Sequence, residues 1–162
     1  MAASDYHLKI DGIPGESTDS KHANEIDITA FSWGVVNHGS TGQGGGGGSG
    51  KSTANDFTFS KPCDKASPLL MAAAATGKHI PKVVLSVRKA SGQGGQADYL
   101  VITFEAVFVS SYSTAASGDA LVHDSFSLNV GKVTFEYKPQ NADGTLGGVV
   151  PANYDWTRNE SK

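Results

Sequence analysis

Residues 98–113 constrain the fold more than any other stretch of the chain. Tyr99, Val101, Thr103, Glu105, Val107 and Val109 share one parity, and Leu100, Ile102, Phe104, Ala106 and Phe108 share the other. Successive side chains of a strand leave opposite faces, so alternation sustained this long requires a long strand; a helix would scatter both sets around its circumference. The second set is wholly apolar and is expected to face a core. The first mixes large apolar groups with Thr103 and Glu105, and an outer face that is half apolar calls for a second protein surface over it.

The same period of two recurs along the chain. Tyr6, Leu8 and Ile10 alternate with His7, Lys9 and Asp11, and Phe57 and Phe59 alternate with Asp56, Thr58 and Ser60. Residues 82–89, 121–130 and 133–138 give further strands, with a hairpin turn at 91–96 and a break at Gly131. Within 26–36 the apolar residues change parity: Ile26, Ile28 and Ala30 on one, Phe31, Trp33 and Val35 on the other. A strand changes face only through a bulge, a bend, or burial of both sides. With Phe31 and Trp33 inward, Ser32 points away from the core.

One helix is expected, after residue 64. Asp64 or Ser67 supplies its N-cap, Pro68 its first turn, residues 69–75 its strong formers and Gly77 its stop. Its leucines and Met71 suit packing against a sheet rather than a ligand site. Long polar connectors cover 12–25, and the tail from residue 140 carries turn signals at Asp143-Gly144 and Gly147-Gly148, then Tyr154 and Trp156 as anchors to the body or to a neighbour. Seven to nine strands, one helix and no internal repeat give a mainly β fold, an antiparallel barrel or two packed sheets, in a single domain over residues 1–162.

Composition narrows the partners. Only 18% of the 162 residues are charged, against roughly 25% in an average soluble domain, which suits a surface that is covered by other proteins. A net charge of −3 with no basic run argues against nucleic acid. No run of eighteen apolar residues exists, so direct membrane insertion is not expected. Met1-Ala2-Ala3-Ser4-Asp5 lacks the basic and apolar parts of a secretory signal, so any export is expected to bypass the general secretory route. The single cysteine, Cys63, permits no internal disulfide and is expected to be a small, partly buried group.

The search for chemistry turns on the loop between strands 26–36 and 53–60. Gly44, Gly45, Gly46, Gly47 and Gly48 lead to Ser49, Gly50 and Lys51, and residues 45–52 satisfy G-x-x-x-x-G-K-[ST]. A phosphate loop needs a helix leaving it, whose N-terminal N–H groups meet the anion. Here the alternation of Phe57 and Phe59 begins instead, and a glycine run matches any glycine-spaced pattern, so the expected role is a flexible connector. The five histidines, His7, His22, His38, His79 and His123, form no metal-binding spacing. His123, Asp124 and Ser125 are strand neighbours that point to opposite faces, so they cannot form a relay. Glu25, Asp27, Asp56, Asp64 and Asp98 sit at strand ends or turns and are expected to be solvated. No catalytic residue, metal or cofactor is expected.

Several segments together resemble one family. Gly15-Glu16-Ser17, His22-Ala23, Glu25-Ile26-Asp27, Ser32-Trp33-Gly34, the glycine loop, Asp64-Lys65-Ala66-Ser67-Pro68 and Thr76-Gly77-Lys78-His79-Ile80 carry the first half of the likeness. Arg88-Lys89-Ala90, Asp98-Tyr99-Leu100, Val109-Ser110-Ser111, Ser127-Leu128-Asn129, Asp143-Gly144, Trp156 and Asn159 carry the second. In this order, over nearly the whole chain, they are similar to the Hcp proteins (haemolysin co-regulated proteins), tube subunits of bacterial type VI secretion systems.

The resemblance implies a barrel of two sheets with a flanking helix, six copies in a ring, and rings stacked into a hollow tube. Such a tube is assembled in the cytoplasm inside a contractile sheath, expelled with its spike, and carries or chaperones small effectors in its lumen. It implies no cofactor. On this reading the loop carrying Gly44, Gly45, Gly46, Gly47, Gly48 and Lys51 makes ring-to-ring or subunit contacts, and Ser32 is either a lumen-facing position or an ordinary solvent-facing serine. Two other classes stay open: a secreted β-sandwich effector or adhesin, and a nucleotide-binding enzyme built on residues 45–52.

Overall fold

A computed structural model of the chain describes residues 5–38, 51–90 and 95–161. Among these residues are ten strands and one helix. The strands are β1 (Asp5–Ile10), β2 (Ile26–Ile28), β3 (Ala30–Ser32), β4 (Val35–Asn37), β5 (Ser52–Ala54), β6 (Phe57–Pro62), β7 (His79–Ala90), β8 (Gln96–Ala115), β9 (His123–Tyr137) and β10 (Val150–Asp155), with α1 (Ser67–Thr76) before β7.

The change of apolar face near Ala30 is a bend at Thr29, and it closes the barrel. The large sheet runs β2-β1-β7-β8-β9-β6-β3, with β10 added on β9. Its two ends, β2 and β3, are consecutive in the chain and separated only by Thr29, whose N–H donates to Ser60 O at 2.8 Å. One segment therefore starts on β1 and finishes on β6. It counts as three strands because Thr29 and Trp33-Gly34 interrupt it, which takes the total above the expected seven to nine. β4 and β5 pair apart as a small second sheet, the base of the glycine-rich hairpin.

The long strands also change face, all in one row. Ile80, Val107 and Val130 lie opposite one another, and so do Lys82, Glu105 and Lys132; between the two rows stand Pro81, Ala106 and Gly131. On one side of this crease the buried residues are Val83, Leu85, Ile102, Phe104 and Val133; on the other they are Ile80, Val107, Val109, Leu128 and Val130. Ala106 takes φ +54 to make the step. The expectation that Ala106 and Phe108 continue the core face of β8 is thus corrected: both are exposed, because the pleat flips at Ala106. The crease folds the sheet on itself into two packed halves around one core containing Phe57, Phe59, Phe104 and Phe126.

Helix α1 ends at Gly77, in the left-handed region at φ +66, as the sequence suggests. Its start differs. Ser67 is its first residue, and Ala66 stands at the cap position with no side-chain bond; Asp64 Oδ1 accepts from the Ala66 N–H at 2.9 Å instead. Cys63 is exposed rather than partly buried. The tail forms β10 along β9, a strand its turn signals do not announce, and Trp156 then anchors it to the body, its Nε1–H donating to Ser52 Oγ at 3.1 Å.

The polar connector 12–25 is pinned to the barrel. A Cβ on Gly15 would overlap the backbone at Glu25 O, so only glycine fits there. The rings of His7 and His22 stack with centroids 4.8 Å apart. His22 meets Glu25 at 2.8 Å and Asp98 at 3.1 Å through its two nitrogens, and Arg88 pairs with Asp19 and Asp98 at 2.9 Å each. Glu25 and Asp98 are therefore paired structural carboxylates, not the solvated groups expected.

Candidate functional site

Ser32 does not stand alone. Register across four strands places Ser32 opposite Thr58, Thr58 opposite Ser127, and Ser127 opposite Ser111. The next outward row is Ala30, Ser60, Ser125 and Ser113. The inward row between them is Phe31, Phe59, Phe126 and Tyr112. Alternation in β3, β6, β9 and β8 thus sorts aromatics to the core, with Phe59 and Phe126 centroids 5.1 Å apart, and small hydroxyls to the outside.

This outward panel is built from short side chains that hydrogen-bond among themselves. β8 shifts register between Val109 and Ser111, so both Ser110 and Ser111 reach Ser127, at 2.7 and 2.5 Å between hydroxyls. Beside the panel lies one carboxylate, Asp56, which accepts from Ser110 Oγ at 2.6 Å and from Asn129 Nδ2 at 2.9 Å. The surface can make and exchange many weak hydrogen bonds. Its two serine rows carry no charged side chain, the next outward row holds exposed His123 between Pro62 and Ala115, and among the described residues no cluster of His, Cys, Asp and Glu could hold a metal ion.

The panel has two unlike lateral edges. Pairing of β7 with β8 ends at His79 opposite Phe108, so among the described residues β8 beyond that point has a strand neighbour, β9, on one side only. At the far side, among the described residues, β3 pairs only with β6. Lys51 is exposed immediately before β5, while Gly44, Gly45, Gly46, Gly47 and Gly48 lie outside the described residues. A strand, Ser52–Ala54, follows the glycine motif, and the Ser52 hydroxyl is taken by Trp156, so the helix that a phosphate loop requires is replaced by β5. That corrects the nucleotide-binding alternative.

Comparison with known proteins agrees with this architecture. The family model described as "Type VI secretion system effector, Hcp" matches residues 7–137. The chain belongs to the Hcp family. Protein hcp1 of Pseudomonas aeruginosa is 45% identical to this Hcp chain over 155 residues, covering 95% of it and 94% of the relative. Hcp1 from Salmonella typhimurium superposes with a TM-score of 0.83 at 34% identity, over 99% of this chain and all of that one. A protein solved as a type six secretion system protein gives a TM-score of 0.90 at 31% identity, again over 99% of this chain and all of the other.

Behind the panel this Hcp chain buries a charge network that the sequence reading missed. Lys61 Nζ, fully buried, donates to Asp64 Oδ1 at 2.7 Å, Ser67 Oγ at 2.9 Å and Asp124 Oδ2 at 3.0 Å. Ser67 Oγ donates to Asp124 as well. Burial by itself would raise the pKa of Asp124; hydrogen bonds from Ser67, Lys61 and Thr114, with the Lys61 charge, outweigh it and hold the carboxyl below its ordinary range. Burial and the adjoining Asp124 push the Tyr112 phenol up. The network ties the first residue of α1 to β6 and β9, holding the helix against the end of the panel. A signal was present: Lys61 shares the parity of Phe57 and Phe59, and Asp124 that of Phe126 and Leu128, so opposite charges sit at core positions of two strands.

Proposed function

We propose that the chain is the ring-forming subunit of a type VI secretion inner tube, that its hydroxyl panel faces the lumen, and that it does no covalent chemistry. The observation that carries the reading is the four-stranded panel itself, uncharged across its two serine rows and, among the described residues, without a strand partner along two unlike edges. Head-to-tail joining of such edges repeats without a two-fold axis and closes into a ring if the rotation allows. Six copies, as in the family resemblance, would line the hole with serine and threonine. A wall of that kind holds passing proteins through exchangeable hydrogen bonds and offers few fixed charges to trap them. The sheath, the spike and small effectors carried in the lumen are the partners in this reading, and export is by expulsion of the tube. Among the described residues no helix is long and apolar enough to cross a membrane.

Ser32 is the test position because it ends the panel row at β3. In a purified preparation, negative-stain images are expected to show annular particles for both the natural chain and Ser32→Gln. Rings of the natural chain are expected to retain effectors co-expressed from the same system, and Ser32→Gln rings to lose at least one of them. A Ser32→Gln ring that keeps every effector counts against the lumen assignment. The loop with Gly44 through Gly48 and Lys51 is proposed as the ring-to-ring contact, and its deletion is expected to leave rings that no longer stack.

A further inference from the structure

The row of the panel nearest the crease differs from the two serine rows. It holds Asn129 on β9, Phe108 on β8 and His79 on β7, each opposite the next. Asp56, the residue before β6, completes it, with its Oδ1 2.9 Å from Asn129 Nδ2. Phe108 is 42% exposed, while Val109 and Leu128 beside this row turn to the core. A large aromatic ring and a carboxylate therefore flank one asparagine, on a face otherwise made of short hydroxyl side chains.

The carboxylate is held in place but not neutralised. Ser110 Oγ donates to its Oδ2 at 2.6 Å and Asn129 Nδ2 to its Oδ1, so each oxygen keeps a lone pair for a further donor. Other carboxylates of the barrel meet cations: Asp19 and Asp98 meet Arg88, Asp64 and Asp124 meet Lys61, and Glu105 meets Lys132. Among the described residues no lysine, arginine or histidine pairs with Asp56. A charge fixed on the surface without a counter-ion is complementary to a cation brought by a partner. Arginine suits this pair of groups best, since a guanidinium takes a carboxylate through two N–H groups and stacks on an aromatic ring. Resting on the lumen reading, we propose that Asp56 and Phe108 anchor the cargo, and that the cargo class is proteins presenting arginine on their surface. Each copy in a ring adds one such anchor, so the carboxylates form a band around the lumen at one height.

Fluorescence anisotropy with assembled rings tests it, using a dye-labelled peptide of alternating arginine and glycine. The arginine peptide is expected to bind the natural rings, and its glutamate counterpart is not. Asp56→Asn keeps both hydrogen bonds, because the amide oxygen accepts from Asn129 and the amide nitrogen donates to Ser110; it is expected to weaken binding about tenfold. Phe108→Leu, which keeps an apolar contact and removes the ring, is expected to weaken it about threefold. Glu105→Gln removes the same number of charges from each ring on the far side of the crease and is expected to change nothing. Rings that bind both peptides alike, that keep full affinity with either panel variant, or that lose as much with Glu105→Gln as with Asp56→Asn overturn the anchor and leave the ring reading standing. A natural chain that gives no annular particles overturns the ring reading, and this anchor with it.

Discussion

At the scale of single residues, the most consequential is Lys61. A buried ammonium is tolerated only when its charge and donors are matched, and here Asp64, Ser67 and Asp124 match them. Removing it leaves Asp124 charged in the core, so Lys61→Met is expected to cost about 3–5 kcal/mol in chemical denaturation. The pH dependence follows from Asp124, whose folded pKa lies below its ordinary value of 3.8. A depressed carboxyl contributes stability that is present above the unfolded pKa and is lost as pH falls through the folded one. The melting temperature of the natural chain should therefore drop steeply below about pH 4. Asp124→Asn should flatten that drop, and an unchanged acid slope in the variant would show that the network does not govern acid stability. The alternation made this pair visible in principle, since both residues stand on the core parity of their strands. What the alternation lacked was register: 63 positions separate the two residues, and only the pairing of β6 with β9 brings them face to face.

At the scale of elements, the crease through Pro81, Ala106 and Gly131 decides how the sheet wraps. Pro81 has no N–H to give the ladder, Ala106 sits at φ +54, and a Cβ on Gly131 would lie 2.9 Å from that of Ala106 and 3.0 Å from Thr157 Cγ2. Gly131→Ala is expected to destabilise by about 1–3 kcal/mol through this crowding. Ala106→Gly, which removes one side of the clash and the cost of a positive φ, should recover part of the loss in the double variant, a coupling measurable by a double-mutant cycle. Equal losses in both backgrounds would contradict the contact. The strands were legible as runs of alternation, yet β8 shows why their faces were not. Tyr99 to Val109 alternates without interruption in the sequence, because Ala106 and Phe108 are apolar whether they point in or out. A period of two cannot register a mid-strand flip when residues on both sides of it are hydrophobic. The bend at Thr29 was legible for the opposite reason, since polar Asp27 and Ser32 mark the outer face on either side of it.

At the scale of the whole molecule, the unlike edges of β8 and β3 and the low share of charged residues are what the proposed ring asks of its subunit. The fold class and family were readable from motifs spread along the chain. Ser32 could be singled out from its place between Phe31 and Trp33, but the panel it belongs to could not, because its other members come from β6, β9 and β8 and meet only through sheet register. The central claim is that this panel is the inner wall of a closed ring. Cysteine accessibility tests it directly, with Ser127→Cys and, on the other half of the sheet, exposed Lys82→Cys, each in a Cys63→Ser background. In assembled rings both sites should react with a small maleimide, whereas a maleimide carried on a protein too wide for the annulus should modify only Lys82→Cys. Equal labelling of Ser127→Cys by the wide reagent, in particles imaged as rings, would contradict the account.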